Sequence, residues 1–113
     1  MVLVTEVSSR IGRATAALLS ESGFRVFGTR RRPCQDGGDL RNLKVIDLDV
    51  RDKQSVHSAI QKVIDRAGRI IDALINNAGY TLIGALEETR ELFDTNVFGV
   101  LRMNQVVLPM MRK

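Results

Sequence analysis

The chain has little of what many kinds of chemistry need. It holds one cysteine and one histidine in 113 residues. A lone Cys34 excludes an internal disulfide framework and a multi-cysteine zinc site, and His57 on its own leaves few routes to a metal centre or a histidine-based triad. There is no tryptophan, and Tyr80 joins only four phenylalanines. That is too few aromatics for the stacking platforms of single-strand nucleic-acid binders. No apolar run approaches the roughly 18 residues of a membrane-spanning helix. The opening Met1-Val2-Leu3-Val4-Thr5-Glu6 has neither a basic start nor a long apolar stretch, so no signal peptide is expected and the expected compartment is the cytoplasm.

What is present suits a folded α/β domain. Hydrophobic residues make up 44% and charged residues 27% of the sequence, enough apolar side chain for a core. The length suits one domain spanning 1–113. The net charge is +4, but Arg30-Arg31-Arg32 is the only tight basic run. A basic balance fits nucleic acid, a membrane surface or a phosphate-bearing ligand, and with acidic residues interspersed elsewhere general nucleic-acid binding is not expected.

Strand and helix signals alternate. Residues 2–5 are short and continuously apolar, as buried parallel strands are. Ile11, Ala14, Ala17 and Leu18 recur at helical spacing, with Gly23 placed as a C-terminal cap. Residues 24–29 read as a second strand, 30–40 as a loop and 43–50 as a third strand. Asp52 is placed to cap a helix carrying Val56, Ala59, Ile60, Val63, Ile64 and Ala67, which Gly68 ends. Residues 70–75 form a fourth strand. Residues 87–109 read as one last helix, apolar nearly all round, so that more than its sheet-facing side needs cover. The pattern predicts a parallel, three-layer sheet of about four strands.

In such a sheet ligands lie beyond the carboxyl ends of the strands. After the first strand stands Thr5-Glu6-Val7-Ser8-Ser9-Arg10-Ile11-Gly12. This is either a dinucleotide loop or an ordinary turn capped by Ser8 or Ser9, since a phosphate loop needs glycines and only Gly12 remains. After the second strand, Arg30 and Arg31 suit a 2′-phosphate, where an acidic residue would suit a free ribose; the alternative is a solvated basic loop. Asp49-Val50 after the third strand contacts an adenine or helps cap the next helix. After the fourth, Asn76-Asn77-Ala78-Gly79 can brace neighbouring loops, and Gly79 lets a flat ring lie against the backbone. Asn96, strongly polar in an apolar stretch, is functional or bonds a helix carbonyl.

The run Thr-x-x-Ser-Ser-x-Ile-Gly, Leu-Asp-Val, Asn-Asn-Ala-Gly and Asp-Thr-Asn-Val-Phe-Gly resembles the short-chain dehydrogenases/reductases, in the family's order from Leu3 to about Met111. The resemblance implies a truncated Rossmann-like fold and NADP-dependent hydride transfer between carbonyls and alcohols. It places Thr5, Ser8, Ser9, Ile11 and Gly12 in the cofactor loop, and Arg30 and Arg31 at the choice of NADP over NAD. It places Asp49 and Val50 at the adenine and Asn76, Ala78 and Gly79 beside the cofactor. Asn96 matches the asparagine that organises the family's proton relay through water. No metal is implied, nor a membrane.

Two departures stand out. Glu6 and Arg10 replace glycines of the family's loop, which implies weak or lost NADP binding. The family's catalytic serine and Tyr-x-x-x-Lys, which belong to the second half of its domain, are absent, and Gly84 stands four residues after Tyr80. The chain alone is expected to be inactive. A non-catalytic oligomerisation or protein-interaction module is the alternative use. The family's habit of assembling through the equivalent helix implies a homo-oligomer.

Overall fold

The computed structural model describes residues 1–32, 43–84 and 86–112. Cys34 and most of the expected loop at 30–40 lie outside the described residues. Four strands, β1 (Val2–Val4), β2 (Val26–Arg30), β3 (Lys44–Asp47) and β4 (Ala73–Ile75), form one parallel sheet in the order β3-β2-β1-β4. Val2 pairs with Val26 on one side and Ala73 on the other, so β1 is central. The strands are shorter than the apolar runs that announce them. The flanking residues, such as Leu48 and Val50, are buried as loop.

Alternation along the strands sorts the core onto two faces. Leu3, Phe27 and Ile46 point to one face. There they meet Val56, Ile60 and Val63 of α2 (Lys53–Ala67) and Met103, Val106 and Val107 of the last helical segment. Val2, Val4, Val26 and Val45 point to the other face and pack with Val7 and with Ala16 of α1 (Arg10–Glu21). The three-layer arrangement is as expected.

Helix α2 follows its sequence signals closely. Asp52 accepts a hydrogen bond from the Gln54 N–H at 2.9 Å, Gly68 closes the helix at φ +65°, and of the expected apolar positions Val56, Ala59, Ile60, Val63 and Ala67 are buried and Ile64 is half-buried. Helix α1 does not: Ile11, Ala14, Ala17 and Leu18 are exposed, and Gly12 and Ala16 are the buried residues. The helix lies so close to the β1 turn that a Cβ on residue 12 would sit 2.2 Å from the Glu6 carbonyl oxygen. Small residues therefore decide its buried face.

The expected single helix at 87–109 is divided. A 3₁₀ turn at Leu86–Glu88 leads into α3 (Thr89–Phe93), a π-helical turn (Asp94–Phe98) and α4 (Gly99–Met111). The Gly99 N–H donates to the Asp94 carbonyl, the i→i+5 bond that defines the π turn. Pro109 lies within α4 rather than ending it.

Candidate functional site

Beyond the carboxyl ends of β1, β2, β3 and β4 lies a cleft of about 460 Å³, a size typical of small-molecule sites. Of the residues singled out in the sequence, Ser8, Ser9, Arg31, Asp49, Val50, Ala78 and Gly79 line it. Glu6, Thr29, Leu48, Tyr80, Glu91 and Thr95 complete the wall.

The loop after β1 is held by a knot of hydrogen bonds. Buried Thr5 accepts from the backbone N–H groups of Asn77 and Ala78, both at 2.9 Å. The Asn77 side-chain amide donates to the Thr5 and Glu6 carbonyls at 3.0 and 2.9 Å. The second asparagine of Asn76-Asn77 is thus the brace between β1 and β4. Asn76 is exposed and donates to Asn104 at 3.1 Å. Thr5, Gly12 and Asn77 support the cleft wall from behind.

Glu6 bears on any anionic ligand. Its φ of +57° lies in the left-handed region, which costs an L-residue roughly 1–2 kcal/mol and which glycine adopts freely. Its carboxylate accepts hydrogen bonds from the Ser8 N–H and the Ser8 hydroxyl. Part of the polar lining at the head of α1 is therefore already engaged by a negative charge. Ser9 occupies the helix N-cap without making a side-chain capping bond; its hydroxyl donates to the Glu6 carbonyl at 3.4 Å. Among the described ion pairs none joins Arg10 to Glu6.

The two arginines expected after the second strand part company. Arg30 lies within the strand, 6% exposed, with its Nε on Asp47 at 2.9 Å. Arg31 is exposed and lines the cleft. Ile11 is 74% exposed and is not part of the wall.

At the β3 end, Arg51 grips Asp49 with Nε at 3.0 Å and Nη2 at 2.7 Å, and the Arg51 N–H donates to the same carboxylate at 2.9 Å. These charge-assisted bonds, the Arg51 side-chain contact first, hold the Asp49 carboxyl below the ordinary aspartate value. Asp49 is thus a fixed anion in the cleft wall at neutral pH.

Asn96 is exposed, and its amide makes two bonds with the backbone of Tyr80: Oδ1 accepts from the N–H at 3.0 Å and Nδ2 donates to the carbonyl at 2.7 Å. The pairing is to the loop after β4 rather than to a helix carbonyl. Gly79 makes room for it, since a Cβ there would lie 3.1 Å from Asn96 Oδ1. The π turn is anchored in its own right: Arg102 pairs with the Asp94 carboxylate at 2.7 Å and reaches the Val50 carbonyl at 3.4 Å.

Thr95 was not singled out in the sequence. It is 6% exposed and lines the cleft, and its hydroxyl is buried without a hydrogen-bond partner among the described residues. Standing between Asp94 and Asn96 in a polar triplet, it carries no sequence signal of its own. Among the described residues no group of three or more His, Cys, Asp or Glu could hold a metal ion. No described helix is long and apolar enough to cross a membrane.

The sheet order and the cleft at the strand ends define part of a Rossmann-like α/β fold. The chain belongs to the short chain dehydrogenase family, whose sequence profile matches residues 1–113. It is 44% identical over 118 aligned positions to a 3-ketodihydrosphingosine reductase of Bacteroides thetaiotaomicron, covering all of this chain and 42% of that protein. Its fold superposes on ligand-free aldohexose dehydrogenase of Thermoplasma acidophilum with a TM-score of 0.84 and 29% identity, over 99% of this chain and 44% of that one. The NADPH-bound carbonyl reductase from chicken fatty liver gives a TM-score of 0.80 and 30% identity, over 96% of this chain and 50% of that one. The chain thus spans half or less of the length of these relatives.

Proposed function

We propose that residues 1–113 are the cofactor-binding half of a single dehydrogenase domain, serving NADP-dependent hydride transfer between a carbonyl and an alcohol. The observation that carries this reading is the cleft at the strand ends, where Arg31, Asp49, Val50, Ala78 and Gly79 share one wall. The adenosine side fits: Arg31 supplies a cation for a 2′-phosphate. The pyrophosphate side fits less well, because the Glu6 carboxylate stands where negative charge must approach. Weak binding with a preference for NADP(H) follows.

When bound, the nicotinamide supplies the hydride. The chain's own residues hold the nucleotide and, through Asn96 and Tyr80, shape the loop beside it. No serine and Tyr-x-x-x-Lys of the family's kind stands in this sequence to move the proton. Calorimetry on the 113-residue polypeptide should show NADPH binding more tightly than NADH, and a panel of ketones and aldehydes should show no turnover. Tighter binding of NADH, or cofactor-dependent reduction by the polypeptide alone, would reject this reading.

A second reading, assembly, is favoured by one observation. Phe93, Val97, Phe98, Leu101 and Leu108 are all exposed along α3, the π turn and α4. They are already about half buried, so covering the rest contributes about 0.7–1.5 kcal/mol each, and only burying all of them together reaches the lower part of the roughly 4–15 kcal/mol cost of association. We infer a two-fold homodimer through this surface. Sedimentation at micromolar concentration should show a dimer. Phe98 is 50% exposed, so Phe98→Asp should yield a folded monomer; a wild-type monomer would end the proposal.

A further inference from the structure

The turn between β1 and α1 already holds an anion, and the anion is the chain's own. The Ser8 N–H, at 3.2 Å, and the Ser8 hydroxyl both donate to one carboxylate oxygen of Glu6. Glu6 and Ser8 line the cleft, so this contact lies on the surface that a ligand meets. The helix behind it has little other negative charge close by. α1 carries no acidic residue in its first turn, and its N-cap, Ser9, makes no side-chain capping bond. A helix N-terminus favours a negative charge beside it, and the Glu6 carboxylate supplies one. Among the described ion pairs none engages Glu6.

The backbone of Glu6 is pinned more firmly than its side chain. The Glu6 N–H donates to Thr29 Oγ1 at 3.3 Å, and its carbonyl accepts from Asn77 Nδ2 at 2.9 Å and from the Ser9 hydroxyl at 3.4 Å. These bonds hold residue 6 at φ +57°, a strained conformation that persists where surrounding contacts over-determine it. The carboxylate, by contrast, is hydrogen-bonded to Ser8 alone among the described residues. Staggered rotations about the carbon chain behind it can lift it off Ser8 while the turn keeps its shape. The Ser8 donors then stay in place and open to the cleft.

We propose that Glu6 is an autoinhibitory residue: its carboxylate occupies the Ser8 donors as an internal anion, and a phosphate group gains them only by displacing it. The turn takes one anion at a time, Glu6 or ligand. This is occupancy, and it differs from repulsion at a distance, because the same two donors serve both anions. The identity of the natural ligand rests on the cofactor-binding reading above; the competition itself applies to any phosphate.

The test is an NMR titration that follows the Ser8 and Ser9 amides, with inorganic phosphate and with ADP-ribose at constant ionic strength. It is run on wild type, Glu6→Gln, Ser8→Ala and the double variant, with urea unfolding to confirm that each is folded. Glutamine keeps the length of the side chain and removes its charge. Glu6→Gln should bind inorganic phosphate about tenfold more tightly than wild type, the scale of one charge-assisted hydrogen bond regained. Ser8→Ala should then remove most of that gain in the Glu6→Gln background and change wild type by less than about twofold, since wild type has no free Ser8 donor to lose. Equal phosphate affinity in wild type and Glu6→Gln would overturn the proposal. So would a gain in Glu6→Gln that Ser8→Ala leaves untouched, which is the result of repulsion alone. The full pattern with phosphate, but no binding of ADP-ribose to any variant, would uphold the competition and overturn the cofactor reading.

Discussion

Exchanging Glu6 and Arg10 together for glycine should tighten NADPH binding by roughly ten- to a hundredfold, or about 1.4–2.8 kcal/mol. Glu6 lines the cleft with its carboxylate folded onto Ser8, so an incoming pyrophosphate meets a like charge and an N–H already in use. Two unit charges 4 Å apart near a protein surface interact by about 4 kcal/mol before solvent screening reduces it. The predicted gain is a fraction of that figure. Charge and backbone can be separated. Glu6→Gln removes the charge and keeps the Cβ at φ +57°, so it should recover most of the affinity. Glu6→Gly should in addition relieve the left-handed strain and raise stability by about 1 kcal/mol. Arg10→Gly alone should change affinity little, since Arg10 is not part of the cleft wall. Calorimetry on the single and double variants is the measurement, and unchanged affinity in the double variant would show that the loop is not what limits binding.

Gly12→Ala should destabilise the fold by about 3 kcal/mol, the upper range for overpacking, with the added loss of a buried hydrogen bond. The new Cβ would lie 2.2 Å from the Glu6 carbonyl oxygen and 2.4 Å from Asn77 Nδ2. Neither neighbour can yield cheaply. The carbonyl belongs to the turn that links β1 to α1, and the amide is bonded to both Thr5 and Glu6. Moving α1 away would open the face that Ala16 and Val7 close. Gly68→Ala is the control. Its φ is +65° but among the described residues nothing lies within 4 Å of the added atom, so it should cost only about 1 kcal/mol. Urea unfolding of both variants checks the contrast; equal losses would mean that α1 and the β1 turn can move apart cheaply and that close approach is not what residue 12 supplies.

Those two positions also show where the sequence could be read and where it could not. Helix α2 is an ordinary amphipathic helix over one face of the sheet, so periodicity, the Asp52 cap and the Gly68 stop located it directly. Helix α1 misleads the same rule, because a close approach selects glycine and alanine on the buried side and leaves Ile11 and Leu18 outside. The last helix looked uniform because a π turn leaves almost no compositional trace; its signature is a hydrogen-bond register, which depends on Asn96 reaching Tyr80 and Arg102 reaching Val50. The cleft was legible in outline, since strand ends are the expected place for ligands. The division of labour between Asn76 and Asn77, and between Arg30 and Arg31, was not: adjacent residues in an extended chain point opposite ways, and only the sheet decides which way is inward.

The central place of β1 has a kinetic consequence. Its first partner, β2, follows after a single helix, but its second, β4, pairs Val2 with Ala73, about 70 residues along the chain. At ribosomal rates of about 5–20 residues per second, some 4–14 s separate the synthesis of the two strands. Throughout that interval one edge of Val2-Leu3-Val4 is without its partner strand, and the Thr5–Asn77 knot cannot yet form. The nascent chain thus presents a short, strongly apolar β edge before the strand that seals it exists, and closing that edge is the step at which its aggregation hazard should end.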